Sequence, residues 1–170
     1  GSWTQLGSTI DGDPGTSSNG TLEGCVTRLS ADGTIVATGS RFYSRDGNTG
    51  DDGYLRVFKY VEARGDWVQM GSTLYGDAGA ADNFAYSMDM SSDGKTLAVG
   101  APYADHRSAN CGATYVYKYI DSLGDWMLLS DYHPGNTNRG FTQVNSNEYQ
   151  GMQTALSGDG TRYATGSYLG

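Results

Sequence analysis

Short apolar runs punctuated by Gly, Ser and Asp recur along the chain, and one stretch occurs three times. It reads Leu29-Ser30-Ala31-Asp32-Gly33-Thr34-Ile35-Val36-Ala37-Thr38-Gly39 first. It returns over Met90–Gly100 and over Leu156–Gly166, each time as an apolar residue, Ser-x-Asp-Gly, a short apolar run and x-Gly. Asp-Gly between two apolar runs predicts a hairpin, because the turn needs positive φ, which Gly adopts without steric cost. The paired strands are expected near Glu23–Leu29 and Thr34–Gly39, Phe84–Met90 and Thr96–Gly100, and Gly151–Leu156 and Arg162–Gly166.

Two further segments share this repeat. Gly53-Tyr54-Leu55-Arg56-Val57-Phe58-Lys59-Tyr60 is echoed by Gly112-Ala113-Thr114-Tyr115-Val116-Tyr117-Lys118-Tyr119. Trp3-Thr4-Gln5-Leu6-Gly7-Ser8-Thr9 is echoed by Trp67-Val68-Gln69-Met70-Gly71-Ser72-Thr73, and more loosely from Trp126. Successive turn aspartates stand 61 and 66 residues apart, and successive tryptophans 64 and 59. Two independent markers therefore share a period of about 60 residues. Each period carries four short strands joined in antiparallel order, and no window has helical spacing. Thr34–Gly39 and Leu55–Tyr60 are apolar at successive positions, as in sheets covered on both faces. The pattern predicts an all-β partial β-propeller of four-stranded antiparallel blades, about two complete and parts of two others. The expected division is 3–13 as the last strand of a preceding blade, 22–77 and 83–135 as blades, and 149–170 as half of a further one. Such an array would be a segment of a longer propeller, or would complete its sheets from another copy.

Composition narrows the function classes. Eleven Lys and Arg face 19 Asp and Glu, for a net charge of -8. That field disfavours nucleic-acid backbones and acidic membrane surfaces, and no apolar run has the length of a membrane span. Cys25 and Cys111 fit either two separate thiols or one bridge between neighbouring repeats. His106 and His133 have no metal-ligand spacing, and no Gly-x-Ser-x-Gly or His-Glu-x-x-His motif occurs, so no catalytic residue is assigned.

The segments Leu29–Gly39, Gly53–Tyr60 and Trp67–Ser72, with Val99-Gly100-Ala101-Pro102, resemble the FG-GAP repeat family. These are blades of the integrin α-subunit type, closest to tandem arrays of microbial and algal surface proteins. A WD-repeat propeller is the rival reading, but its period is about 40–45 residues and its Trp-Asp ending is missing. The FG-GAP resemblance implies a non-catalytic extracellular or cell-surface module for adhesion, recognition or surface assembly, with a protein or glycan as partner. The alternatives are a lectin-like carbohydrate-binding propeller, a structural subunit of a larger complex or filament, and part of a hydrolase.

The resemblance also raises calcium, because many such blades carry acidic turn loops that supply several oxygens to a hard cation. Aligned on that motif, the second repeat offers Asp89, Ser91 and Asp93, with Leu97 at the closing acidic position. The first has Arg28 and Val36 at the opening and closing positions, and the third Ala155 and Tyr163. A plain tight hairpin is the simpler reading, and Asp89 and Asp93 are the surviving metal candidates. The loop 46–53 offers Asp46, Asn48 and Asp51 as a second set. No other cofactor is expected. Tyr43, Tyr103, Tyr132 and Tyr149 lie in or beside loops, where Tyr suits recognition. Tyr54, Tyr60, Tyr115, Tyr117 and Tyr119 lie on strands and are expected to pack between blades. Asn19-Gly20-Thr21 fits a glycosylation acceptor, and Arg64-Gly65-Asp66 reads as an ordinary hairpin turn.

Overall fold

A computed structural model describes residues 2–12, 24–44, 50–77, 81–105, 109–132 and 147–168, with side chains left out at 130–132. Among the described residues three antiparallel sheets follow one another. The first is β1 (Val26–Leu29), β2 (Ile35–Ser40), β3 (Tyr54–Val61) and β4 (Asp66–Gln69), in that order, with β5 (Leu74–Tyr75) also paired to β3. The second is β6 (Ser87–Met90), β7 (Thr96–Ala101), β8 (Ala113–Ile120) and β9 (Asp125–Tyr132). The third is β10 (Gln153–Leu156) paired with β11 (Tyr163–Gly166). These sheets are β-propeller blades: two of them complete, the third represented by its first hairpin.

The repeated Ser-x-Asp-Gly stretch sets the same register three times, with Leu29 opposite Val36, Met90 opposite Leu97 and Leu156 opposite Tyr163. In each copy the Ser hydroxyl donates to the Asp carboxylate at 2.6–2.7 Å. The same carboxylate oxygen accepts the backbone N–H two residues on, from Thr34, Lys95 or Thr161. Gly33, Gly94 and Gly160 have φ near +70°. Hydrogen bonding holds all three carboxyls below the usual Asp range. The largest contribution comes from the Thr34 amide for Asp32, the Ser91 hydroxyl for Asp93 and the Ser157 hydroxyl for Asp159. What these turns add to stability is present above about pH 4 and is lost as pH falls through their lowered values.

The core lies where blades meet. Ile35, Ala37, Leu55 and Val57 of the first blade join Met88, Leu97, Val99 and Ala113 of the second in one buried cluster. Blade-to-blade joints repeat as faithfully as the blades. Ala31 N–H donates to Ser92 O, and Ser92 N–H donates to Gly158 O, linking the three turns in series. Asn83 and Phe84 N–H donate to Asp51 O and Asp52 O, as Tyr149 and Gln150 N–H do to Asn110 O and Cys111 O.

A third joint uses the tryptophans. Trp67 Nε1 donates to Leu6 O at 2.8 Å, and Asp66 accepts from Ser8 N–H and Oγ. In the next blade Trp126 Nε1 donates to Met70 O at 2.7 Å, and Asp125 accepts from Ser72 N–H and Oγ. The Ser8 and Ser72 amides are the leading reason why Asp66 and Asp125 are held below the usual Asp range. Gly7 and Gly71 sit against these Asp-Trp pairs, where a Cβ would come within 3 Å of both side chains.

The structure departs from the expected strands in two places. Residues 3–7 form no strand; the segment docks on Trp67 and leaves Trp3 fully exposed, because no described strand lies beside it to complete a ladder. The outer strands of the two blades also differ. After β4 the chain leaves the sheet at Met70 and Gly71 (φ +77°) and rejoins it as β5, opposite Tyr54 and Leu55. Ser130 stands where Gly7 and Gly71 stand in the other copies. There β9 stays in the sheet, with a register shift at Val116/Tyr117, as far as Tyr132.

Candidate functional site

Loops at one end of the blades carry the features that the repeat alone does not explain. Arg41 and Phe42 follow β2, Tyr86 precedes β6, Tyr103 follows β7 and Tyr149 precedes β10. The Arg41 guanidinium lies 4.6 Å from the Phe42 ring centroid and 4.4 Å from that of Tyr86, a cation–π arrangement. Tyr86 meets Tyr103 edge-on at 6.4 Å, and Tyr103 meets Tyr149 at 5.4 Å. A row of half-buried rings therefore crosses all three blades. Its backbone is bent locally: Ala81, Asn83 and Ala85 have positive φ, as do Asn147 and Tyr149, which occupy the same places before β10.

Beside this row lies Asp82, whose carbonyl accepts from Tyr103 N–H; its carboxyl is 2% exposed, and Oδ1 has no hydrogen-bond partner among the described residues. Burial, followed by the charges of Asp77, Asp105 and Asp52, pushes its pKa up to about 6. Since the folded pKa exceeds the unfolded one, the folded state binds this proton more tightly. The resulting stability is fully present below about pH 4 and lost as pH rises through about 6. Asp82→Asn is expected to stabilise the protein at pH 7.5 by on the order of 2 kcal/mol, with little effect at pH 4. Urea midpoints at the two pH values measure this, and equal shifts at both would contradict it. Among the described residues no three acidic, His or Cys side chains converge closely enough to hold a metal ion.

The other candidate residues fall in several places. Asp89 bridges the blades, accepting from Arg28 Nε at 3.2 Å and from Leu156 N–H at 2.7 Å. Asp93 accepts from Ser91 and Lys95 within its own turn. The structure does not bring Asp89 and Asp93 together on one described ligand set. Asp51 contributes its carbonyl to the joint with Asn83, while Asp46, Asn48 and Asn19 lie outside the described residues. Tyr43 is 7% exposed and packs inside with Tyr54 and Tyr75, whereas Tyr103 and Tyr149 belong to the aromatic row. Tyr132 ends β9 and its side chain is outside the described set.

The strand tyrosines pair mainly within blades, Tyr60 on Trp67, Tyr119 on Trp126, and Tyr115 and Tyr117 on Phe84. No disulfide joins the two cysteines, of which Cys25 is exposed and Cys111 buried. In Arg64-Gly65-Asp66, Gly65 ends a short 3-10 turn in the left-handed region and the Asp66 carboxylate is held by Ser8. Sequence reasoning passed over Arg41, Phe42, Tyr86 and Asp82, since no repeat position or motif marks them. The aspartates of the tryptophan joint were legible in principle, because Gly65-Asp66-Trp67 and Gly124-Asp125-Trp126 repeat one tripeptide.

No helix among the described residues is long and apolar enough to cross a membrane. No curated protein matches the chain significantly. The family model for the FG-GAP repeat matches residues 67–117, from the outer strand of the first blade through the third strand of the second. Residues 67–117 thus carry an FG-GAP repeat, on a blade whose strands, turn and joints recur on either side.

Proposed function

We propose that this chain is a non-catalytic recognition module of the cell surface or extracellular space, with the loop-end aromatic row as its contact surface. The observation that carries the reading is the alignment of Phe42, Tyr86, Tyr103 and Tyr149, with Arg41 between the first two, across three successive blades. Each ring is anchored on one side and half-exposed. Such rings offer broad contact at little cost in side-chain entropy, and the blades beneath supply a rigid mount. The FG-GAP repeat supports the extracellular setting, since such repeats typically occur in extracellular proteins. A glycan array and a cell-binding assay by flow cytometry test the proposal in both partner classes. Replacing Tyr103 and Tyr149 together with alanine is expected to weaken whichever binding is found by about tenfold or more. Undiminished binding by a folded double variant would overturn the assignment of the surface. Assembly into a larger structure is a second reading, favoured by Met127, Leu128 and Leu129, which are all exposed on the outer strand β9.

A further inference from the structure

Two blade-to-blade joints share one backbone design and differ in the side chain at their centre. Ahead of β6, Ala81 and Asn83 have φ of 53° and 54°; ahead of β10, Asn147 and Tyr149 have φ of 65° and 53°. The residue between each pair is Asp82 in the first joint and Glu148 in the second. Residues other than Gly keep such φ only where their surroundings hold them. In the first joint backbone bonds from two directions do so: Asn83 N–H donates to Asp51 O, and Tyr103 N–H donates to Asp82 O. Asn83 Nδ2 adds a bond to Ala81 O within the loop. The next residue, Phe84, is fixed more firmly. It is 1% exposed, its ring packs edge-on against Tyr115 and Tyr117, and its N–H donates to Asp52 O.

Glu148 is half-buried, whereas Asp82 is almost wholly buried, with Oδ1 unpartnered among the described residues. A carboxylate there would give up its hydration and receive no hydrogen bond at Oδ1. It would also face the like charges of Asp77 after β5, Asp105 after β7 and Asp52 ahead of β3. No cation among the described residues offsets them. The neutral acid escapes both penalties, so the proton is held up to about pH 6. We infer that the loop 81–83 is a proton-operated clasp on the joint between the first two blades, closed while Asp82 carries its proton and opening about Phe84 to hydrate the carboxylate when the proton leaves. Opening releases the N–H groups of Asn83 and Tyr103, and with Tyr103 the ring that links Tyr86 to Tyr149. The second joint stays shut throughout, because Glu148 already has access to solvent. The inference stands on the geometry of the joints and is independent of the recognition reading above.

Amide hydrogen exchange of the intact chain tests the clasp, measured from about pH 5 to about pH 8 and corrected for the intrinsic pH dependence of exchange. The Asp82 value is raised in the closed loop, so closure is favoured at the lower pH and lost as pH rises through about 6. Protection of Asn83 and Tyr103 is expected to fall about tenfold over that range, the ratio set by a value near 6 in the closed loop against an ordinary Asp in the open one. Tyr149, whose N–H donates to Asn110 O in the second joint, should keep its protection. In Asp82→Asn the fall at Asn83 and Tyr103 should vanish. Unchanged protection of Asn83 in the wild-type chain would overturn the inference, as would a fall that persists in Asp82→Asn. An equal fall at Tyr149 would also overturn it, since the whole fold and not this loop would then be losing stability. The wild-type profile with its Tyr149 reference decides the matter even if Asp82→Asn fails to fold.

Discussion

Gly53→Ala is expected to destabilise the protein by at least about 4 kcal/mol, from a backbone clash added to a left-handed strain. Gly53 has φ +78°, and a Cβ there would press on the Phe84 carbonyl oxygen, with Phe84 C and N both at 2.8 Å. Those Phe84 atoms are backbone in the joint between the first two blades, so no rotamer change relieves the contact. The neighbouring bonds offer no slack: Gly53 N–H donates to Tyr43 O and Phe84 N–H donates to Asp52 O. Gly112 holds the same place in the next joint, against Gln150. Gly124 is the control, with φ +64° and nothing within 4 Å of its built Cβ. Gly124→Ala should cost only the conformational part, about 1 kcal/mol. Urea denaturation of the two variants separates the terms. Equal losses would show that the glycine at 53 serves its own turn and not the joint.

Trp126→Ala carries the second-largest expected effect, a loss of about 3 kcal/mol. The ring is 9% exposed, stacks edge-on with Tyr119, and covers Gly71 at the end of the preceding blade. Its removal leaves a cavity and an unpaired Met70 carbonyl, which now accepts from Nε1. Trp126→Phe should restore most of the packing but not the hydrogen bond, at a cost of about 1 kcal/mol. Trp67→Ala should cost less than Trp126→Ala, because Trp67 is only half-buried and covers the terminal segment at Gly7. Denaturation midpoints rank the three variants. A Trp67→Ala loss equal to or larger than that of Trp126→Ala would contradict the assignment of the tryptophan joint to blade–blade adhesion.

The parts of this fold that were legible in sequence are those decided locally. Asp32-Gly33, Asp93-Gly94 and Asp159-Gly160 set three hairpins in one register, because Gly takes the left-handed place and the Asp carboxylate closes the turn on itself. The apolar runs of β2 and β7 announced sheets covered on both faces, and both strands are largely buried. What failed depends on partners. Trp3–Gly7 has a strand's pattern but pairs with no described strand, and it docks on Trp67 instead. The different exits of β4 and β9 turn on Gly71 against Ser130, a difference hidden within an otherwise matching repeat.

The candidate site was less legible for the same reason. Tyr43 and Tyr103 both read as loop tyrosines, yet the contacts of Tyr43 with Tyr54 and Tyr75 turn it inward. Asp82 looks like any loop aspartate until Asp52 and Asp105 are brought near it from two other parts of the chain, beside Asp77 of its own loop. The Arg41–Phe42–Tyr86 contact likewise joins two blades, and no local pattern encodes it.

Equivalent joints bind the successive blades around the FG-GAP repeat at residues 67–117 into one rigid array. Native-state amide hydrogen exchange at Ala31, Ser92, Phe84 and Gln150 tests it most directly, since each of these N–H groups donates across a blade boundary. All four are expected to exchange as slowly as amides within β2 and β7, although Ala31 and Ser92 lie on exposed turns. Exchange at these four sites as fast as at the exposed turn residues Asp121 and Ser122, with β2 and β7 still protected, would show blades that fold singly and do not dock.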